Sequence, residues 1–397
     1  MRKRQVAVLV VTTALSLMVT GCSSRNKITT EPNPVSATAT GSGGTVNENS
    51  GIDAAIGAVK AAAVPPTTVN LSGNSVLPHT PQAGIKVALL SCKVPSCVPV
   101  TSQMRAATDL LGWNLTVVTP DPAAVGEALQ QVVNQGFKYV FMISVSADLV
   151  RPQLQLAKAN GVAVFDTSVP ATSVPGFTAQ IRGPALGTRV GQLLADQMIV
   201  SSRGDANVLF ATIPVFPVYA IMGSGVEAEF QAHCARCQLA SLPLTTAQLT
   251  AGQVPSAIVA YLQGHPDVNY VDLATGDMFP GLTSALEAAG LDKRVKVVGN
   301  VAGSLKVELQ SLLDGTALAW VTNGGTAAIW TMVNWMAQLS EGISLSALSL
   351  QNGDRSDPFL INTKTVASQV MGNLDSSGEW PGPPNFVQQF KTFWRIN

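Results

Sequence analysis

The sequence predicts an α/β protein built from two doubly wound lobes, each with a parallel sheet that helices cover on both faces. From residue 85 onward, short apolar runs alternate with helix-like segments, and Gly, Pro or Asp separates them. The alternation is interrupted near residues 181–184 and then resumes, which divides it into two series. Ligands of open parallel sheets bind beyond the carboxyl ends of the strands. The residues that follow each strand are therefore the candidate functional residues.

Both series alternate strands with helices. In the first, the predicted strands are 85–90, 115–118, 139–143 and 162–165, and the predicted helices are 101–111, 122–134 and 149–160. In the second, the predicted strands are 207–210, 270–273, 295–298 and 317–321, and the predicted helices are 187–200, 219–233, 257–263, 281–289, 305–313 and 327–339. Such repetition indicates one parallel sheet in each lobe.

The composition excludes several functional classes. The 24 Lys and Arg residues balance the 24 Asp and Glu residues, and only 12% of the chain is charged. This balance argues against nucleic acid or an anionic surface as the main partner. The chain has three histidines and no Gly-x-Ser-x-Gly elbow, phosphate loop or His-Glu-x-x-His motif. We therefore predict that it is not an enzyme and needs no cofactor or metal.

The N-terminus indicates export. Residues 2–4 are basic, and residues 5–20 are apolar but too short for a stable membrane span. The sequence VTGC, ending at Cys22, resembles the lipobox of bacterial lipoproteins. This resemblance implies that residues 1–21 are a signal peptide and that Cys22 carries lipid at the extracytoplasmic face of the cell membrane. The alternatives are an ordinary signal peptide with a chance cysteine, or a retained membrane anchor.

Residues 22–83 are predicted to be a flexible tether. They are rich in Ser, Thr, Gly, Asn, Pro and Ala and contain no aromatic residue, a composition that does not bury a core. A short helix is predicted within the tether, at residues 52–63.

The cysteines agree with export. Of the five, Cys22 is assigned to lipid, and the others form two close pairs, Cys92 with Cys97 and Cys234 with Cys237. An oxidising compartment favours two local disulfides. A zinc site built from both pairs and a redox centre at Cys234-x-x-Cys237 are the alternatives. Because the first pair follows the first strand, we expect its loop to shape the rim of a pocket.

Five segments carry a family resemblance in order and in register. They are GFKYVFMISVSAD (136–148), NGVAVFD (160–166), GHPDVNYVDLATGD (264–277), VVGNVAG (297–303) and GTALAWVTN (315–323). From residue 85 to about residue 366 the chain resembles the type I periplasmic solute-binding proteins, in the ribose-binding-like branch that serves ABC importers.

The resemblance implies two lobes joined by a three-strand hinge and closing on a small ligand. The crossings are expected near residues 181–184, just after residue 323, and near residues 357–364. The expected boundaries are 84–182 plus 324–357 for lobe 1 and 183–323 plus 358–397 for lobe 2. We have no interpretation for the tail beyond the third crossing.

The resemblance also implies ligand-binding positions at the strand ends. Carried over residue by residue, with neighbouring aromatic and hydroxyl side chains added, the candidates are Asp166, Thr167, Asn323, Asn300, Asp277, Met222, Phe216, Tyr219 and Ser91. Asp166 and Asp277 could instead cap a turn or a helix, and Asn323 could belong to a turn. Phe216 and Tyr219 could equally be core residues.

Three departures from the family pattern point in one direction. Gly276, Val301 and Met222 stand where the family has an asparagine, an aspartate and an arginine that hold the ligand. Because unpaired buried polar groups are costly, we expect a ligand with fewer hydroxyl groups. The hypothesis is a lipid-anchored binding protein that delivers a small neutral or weakly polar ligand to an ABC permease. The alternatives are a sensor with the same fold that signals to a membrane partner, and a redox-active lipoprotein.

Overall fold

A computed structural model describes residues 48–94, 97–143, 145–167, 176–301, 305–348, 350, 358–376 and 378–396 of the 397-residue chain. The predicted signal peptide and Cys22 lie outside these residues. Across the described ranges, no helix has both the length and the apolar character that a membrane span requires.

Lobe 1 is a parallel sheet between two layers of helices. Its strands are β1 (Lys86–Leu90), β2 (Asn114–Val118), β3 (Tyr139–Ile143), β4 (Ala163–Thr167) and β5 (Ala179–Ile181), and its helices are α2 (Val98–Leu110), α3 (Val125–Asn134), α4 (Arg151–Ala159) and α11 (Gly325–Ser340). The strand order is β2-β1-β3-β4-β5, with every neighbouring pair parallel. One face packs on α2 and α11, and the other packs on α3 and α4.

Lobe 2 has the same architecture with one antiparallel edge. Its strands are β6 (Asn207–Thr212), β7 (Gln238–Pro243), β8 (Tyr270–Leu273), β9 (Lys296–Asn300), β10 (Ala319–Thr322) and β11 (Phe359–Ile361). Its helices are α5 (Pro184–Ser202), α6 (Pro217–His233), α7 (Thr246–Thr250), α8 (Val254–Gly264), α9 (Leu282–Ala288), α10 (Leu305–Asp314) and α12 (Lys364–Met371). The strand order is β11-β10-β9-β8-β6-β7, and only β11 runs antiparallel among the described strands. The predicted fold class is confirmed.

The N-terminal segment, residues 48–83, differs from the predicted tether. Helix α1 (Glu48–Ala62) packs on α5 and α6 of lobe 2 and buries Ala55 completely. The chain then reaches lobe 1, where Leu71 and Leu77 join the core and the Leu77 N–H donates to the Phe393 carbonyl at 2.9 Å. The average composition of this segment is polar, and it therefore does not reveal these few apolar residues, which are buried against the two lobes.

The C-terminal segment, residues 372–396, also differs from the expected boundary. Trp380 lies in the core of lobe 2. Helix α13 (Phe386–Trp394) instead packs in the core of lobe 1, where the Trp394 ring stacks on Trp330 with centroids 5.5 Å apart. Among the described residues, each chain end therefore adds a pass between the lobes beyond the predicted crossings.

Candidate ligand-binding site

A cavity of about 150 Å³ lies where the two lobes meet. Lobe 1 lines it at the ends of its strands, with Ile143 at the end of β3 and Thr167 at the end of β4. Lobe 2 lines it with Asn300 at the end of β9 and with Phe216, which precedes α6. Because both lobes contribute walls, a change in their separation would open or close the cavity.

Six of the nine predicted ligand-binding residues line this cavity. They are Thr167, Asn300, Asn323, Met222, Phe216 and Tyr219. Thr167 and Asn300 are the last residues of β4 and β9, Asn323 directly follows β10, and Tyr219 and Met222 lie in α6, the helix after β6, which are the placements expected for parallel sheets. The other three, Asp166, Asp277 and Ser91, are not part of the lining.

Asp166 holds the loops at the end of the lobe 1 sheet. It is fully buried, and its carboxyl accepts hydrogen bonds from the backbone N–H groups of Thr167 at 2.6 Å and Val145 at 3.2 Å. This is the turn-cap alternative rather than a place in the cavity wall. The cause is the pleat, because successive side chains of a strand point to opposite sides. Thr167, the next residue, lines the cavity instead.

Asp277 and Ser91 lie near the cavity but behind its wall. Asp277 is in a short 3-10 turn whose N-cap is Thr275, and the Thr275 hydroxyl accepts from the Asp277 N–H at 3.4 Å. The Asp277 charge still reaches the site, since it raises the pKa of the Glu379 carboxyl. Ser91 is buried, and its N–H donates to the Val118 carbonyl at 2.8 Å, which continues the pairing of β1 with β2.

Gly276 leaves no space for a side chain next to Glu308. A Cβ atom at this position would lie 1.9 Å from the Glu308 Oε1 atom. Glu308 is buried in α10 and occupies the space that a side chain here would need. A larger residue at 276 would therefore require the Glu308 side chain to move.

Arg182 is a cavity residue that the sequence did not single out. It lies in the first crossing between β5 and α5, with a left-handed backbone at φ 57°. Holding a residue other than glycine there costs on the order of 1 kcal/mol or more, a form of strain that clusters at functional sites. The Arg182 Nη2 atom donates to the Asn323 Oδ1 atom at 3.2 Å and so links the first two crossings. Burial lowers the pKa of this guanidinium to about 10.

Glu379 is the second cavity residue that the sequence missed, and it comes from the C-terminal segment. Only 8% of its surface is exposed. Burial raises the pKa of its carboxyl, and the charges of Asp375 and Asp277 add to this effect. The Leu305 N–H, which donates to the carboxyl, and the Arg182 charge lower the pKa in turn. No sequence motif marks this residue, because only the return of the tail brings it to the cavity.

The neighbours of Glu379 fix its position. Its N–H donates to the Asp375 Oδ1 atom at 3.2 Å, and the Asp375 N–H donates back to the Glu379 carbonyl at 2.8 Å. The adjacent Trp380 ring packs edge-on against Phe359 with centroids 4.9 Å apart. A Cβ at Gly324 would lie 2.7 Å from the Trp380 ring. A glycine at the second crossing therefore lets the tail pack closely enough to deliver Glu379.

The lobe 2 wall of the cavity is largely apolar and comes from α5 and α6. Its apolar members on these helices are Leu186, Val190, Val218 and Met222. Glycines bring the two helices together, because a Cβ at Gly191 would lie 2.1 Å from the Met222 carbonyl oxygen and one at Gly225 would lie 2.5 Å from the Thr188 carbonyl oxygen. The wall is consequently close-packed, and Met222 is only 2% exposed.

Phe216 and Tyr219 form an aromatic pair at the edge of this wall. Their ring centroids are 5.7 Å apart in an edge-to-face arrangement. Burial raises the pKa of the Tyr219 hydroxyl, which hydrogen-bonds to Thr275. The pair both lines the cavity and packs against the lobe 2 core, so both interpretations of these residues hold.

Both predicted disulfides are present. Cys92 pairs with Cys97 at a Cα–Cα distance of 5.7 Å, and Cys234 pairs with Cys237 at 5.4 Å. The first disulfide lines the cavity next to β1, as expected for a loop that shapes the rim. The second follows the end of α6 in lobe 2 and is not part of the lining.

Comparison with known proteins gives one family and many structures of the same fold. The family model described as periplasmic binding protein domain matches residues 96–344, more than half of the 397-residue chain. No curated protein sequence matches the chain. The 5-methylthioribose transporter solute-binding protein of Thermotoga lettingae, solved with 5-methylthioribose, has a TM-score of 0.64 at 16% identity, covering 81% of this chain and 100% of that one.

Two further structures have similar values. The Caulobacter myo-inositol binding protein, bound to myo-inositol, has a TM-score of 0.62 at 18% identity, covering 72% of this chain and 97% of that one. An ABC transporter solute-binding protein of Clostridium phytofermentas with bound L-rhamnose has a TM-score of 0.61 at 14% identity, covering 72% of this chain and 98% of that one. At these identities the likeness is one of fold.

Proposed function

This chain belongs to the periplasmic binding protein family, and we propose that it is a lipid-anchored solute-binding protein that delivers a small ligand to an ABC transporter. The family consists of binding proteins of the type I fold, not enzymes. One observation carries the proposal. The cavity takes its walls from both lobes and from two crossings, so a bound molecule would hold the lobes together.

A small neutral or weakly polar ligand suits this cavity. Its volume of about 150 Å³ equals that of an engineered protein cavity that holds one benzene ring, so a single ring fits. The similar structures were solved with 5-methylthioribose, myo-inositol and L-rhamnose, all of them small and uncharged. The losses at Gly276, Val301 and Met222 remove polar contacts and favour a ligand at the less polar end of this range.

Ligand screening by thermal shift tests the proposal. The mature protein, purified with its anchor in detergent, would be screened against sugars, polyols, nucleosides and apolar metabolites. A ligand at a hundred times its Kd stabilises the folded state by about 2.7 kcal/mol. We expect at least one neutral compound to raise the melting temperature and to reduce the radius of gyration in small-angle scattering. If no compound in the screen does either, the proposed binding function is wrong.

Uptake measurements separate delivery from sensing. For a delivery protein, deletion of the gene abolishes uptake of the radiolabelled ligand. If uptake is normal in the deletion strain but the transcriptional response to the ligand is lost, the protein is a sensor with the same fold.

The lipid anchor is proposed from the VTGC motif alone, since Cys22 lies outside the described residues. Cys22→Ser is expected to move the protein from the membrane fraction to the soluble fraction. Ser23→Ala, a change of the next residue, is the matched control and is expected to stay with the membrane. Equal amounts of wild type and Cys22→Ser in the membrane fraction would contradict the anchor.

A further inference from the structure

We infer that Arg182 and Glu379 together anchor the ligand, and that the ligand is an uncharged ring with adjacent hydroxyl groups at one end and an apolar edge at the other. This inference rests on the proposed binding function and adds the chemical class of the ligand. It also assigns a binding residue to the C-terminal segment, which lies beyond the residues that the family model matches.

Each of the two side chains keeps one buried polar atom without a hydrogen-bond partner among the described residues. These atoms are the Arg182 Nε donor and the Glu379 Oε1 acceptor. Buried polar groups in native proteins almost always have partners, so an exception in a cavity wall indicates a partner supplied by a ligand. A hydroxyl accepts from one group and donates to another, and two adjacent hydroxyls match one donor and one acceptor.

The charges of the pair explain why the ligand is uncharged. Arg182 and Glu379 attract each other, since each charge moves the pKa of the other group toward its ionised form. A carboxylate or phosphate on the ligand would meet Glu379, with Asp375 and Asp277 behind it. An ammonium group would meet Arg182. Burying either charge next to a like charge is unfavourable, whereas hydroxyls pair with both residues at no charge cost.

The apolar wall determines the other end of the ligand. The Leu186 and Val190 side chains offer no donor or acceptor, and Met222 offers only a weak sulfur acceptor. Val94 and Val100 line the lobe 1 side without a polar side-chain atom. A hydroxyl that faced this wall would lose its water without gaining a partner. A methyl group or a bare ring edge would instead be buried favourably. The Gly191 and Gly225 contacts hold α5 and α6 close together and keep this wall close-packed.

Matched sugar pairs test the ligand class. The probes are L-rhamnose against L-mannose and L-fucose against L-galactose, because the members of each pair differ only in the hydroxyl on carbon 6. D-Glucosamine and D-glucuronate are the charged probes. We expect calorimetry to give at least one 6-deoxy sugar an affinity about five- to a hundredfold above that of its parent, the range that corresponds to one buried unpaired hydroxyl. We expect weaker binding of both charged sugars.

Two variants test the anchor on the tightest uncharged ligand found. Glu379→Gln removes the acceptor charge at constant size, and Arg182→Lys keeps the charge but removes the Nε donor. Each is expected to weaken binding by about ten- to a hundredfold, the range for a hydrogen bond to a charged group. Glu287→Gln and Arg151→Lys make the same changes at exposed positions and are expected to bind as wild type does. If Arg182→Lys does not fold, Glu379→Gln decides the result.

The outcomes distinguish the inference from the proposed function. A merely structural role for Glu379 predicts a lower melting temperature of the free protein with unchanged affinity, and that result overturns the anchor. A preference for a charged ligand, or for parent sugars over their 6-deoxy forms, overturns the ligand class while the binding function stands. A screen without any ligand overturns both.

Discussion

Both chain-end segments pack against both lobes, but they differ in what they contribute to the cavity. The N-terminal segment places Ala55 in the lobe 2 core and Leu77 in the lobe 1 core. The C-terminal segment places Trp380 in the lobe 2 core and Trp394 in the lobe 1 core. Only the C-terminal segment also brings a side chain, Glu379, into the cavity. Joining the lobes and contributing to the site are therefore separable properties.

The reason for this difference is where each segment crosses. The C-terminal segment passes next to the second crossing, where the Ala327 N–H donates to the Pro381 carbonyl at 2.9 Å and Gly324 leaves space for Trp380. The N-terminal segment instead packs on helices, through α1 on α5 and α6 and through Asn74, whose Oδ1 accepts from the Asn334 and Gln338 amides at 2.8 and 2.7 Å. None of its described residues lines the cavity. We expect mutations in the two segments to separate stability from ligand affinity.

Trp380→Ala should have the largest effect. Removing a buried tryptophan costs about 3–5 kcal/mol of unfolding free energy. Because Trp380 adjoins Glu379 and packs on Phe359 and Gly324, we also expect weaker ligand binding. Denaturant unfolding and calorimetry measure the two effects. Trp394→Ala is the matched control, since it removes the same residue type from the lobe 1 core and should lower stability alone. Equal losses of ligand affinity in Trp380→Ala and Trp394→Ala would contradict the expectation that only Trp380 affects the site.

Leu77→Ala tests the N-terminal segment. Leu77 is fully buried, and we expect the free energy of unfolding to fall by about 2–5 kcal/mol. The neighbouring Val76 is 48% exposed, so Val76→Ala should change stability by less than about 0.5 kcal/mol. Ligand affinity at a temperature where both variants are folded should match wild type. A tenfold loss of affinity in Leu77→Ala would show that this segment also shapes the site.

Asp166→Ala compares a strand-end residue with the chain-end residue Glu379. Its loss leaves the backbone N–H groups of Val145 and Thr167 without this buried acceptor, at a cost of about 1–3 kcal/mol. We expect that loss of stability in denaturant titrations, together with a smaller affinity change than Glu379→Gln produces. Asp148→Ala, an exposed aspartate after the neighbouring strand, is the control and should be close to neutral. An Asp166→Ala variant of full stability that fails to bind would restore Asp166 as a direct ligand contact.

The smallest expected effect is a change in pH dependence that only the C-terminal segment produces. Burial raises the pKa of Glu379 above its ordinary 4.5, so its contribution to stability is full below that pH and is lost as pH rises through the folded pKa. The melting temperature of Glu379→Gln should therefore fall less than that of wild type between pH 4 and pH 8. Asp272, whose burial raises its pKa to about 8, adds to the slope in both proteins. Val76→Ala, in the N-terminal segment, removes no titratable group and should leave the slope unchanged.

Strong local patterns predicted most of the fold. The strands at Tyr139–Ile143 and Tyr270–Leu273 have the predicted bounds, because buried central strands are short apolar runs between clear breaks. Strands β5, β7 and β11 were not among the predicted strands. Strand β5 has three residues, and the Gln238–Pro243 run is mostly half-exposed at the sheet edge, which leaves little periodic signal. Strand-end position likewise predicted Thr167 and Asn300 in the cavity wall.

The sequence by itself determined the two lobes, the strand ends that face the cavity, and the local disulfides, because each depends on contacts between residues close in the chain or on a repeated pattern. Tertiary structure decided which neighbour points inward, so Thr167 lines the cavity while Asp166 holds the loops. It also decided that Arg182, Asn323 and Glu379 meet. These three residues lie on different segments that connect the lobes, and no local sequence pattern predicts that they are close in space. Their proximity results from the packing of the C-terminal segment against the second crossing and from the hydrogen bond that joins the first crossing to the second.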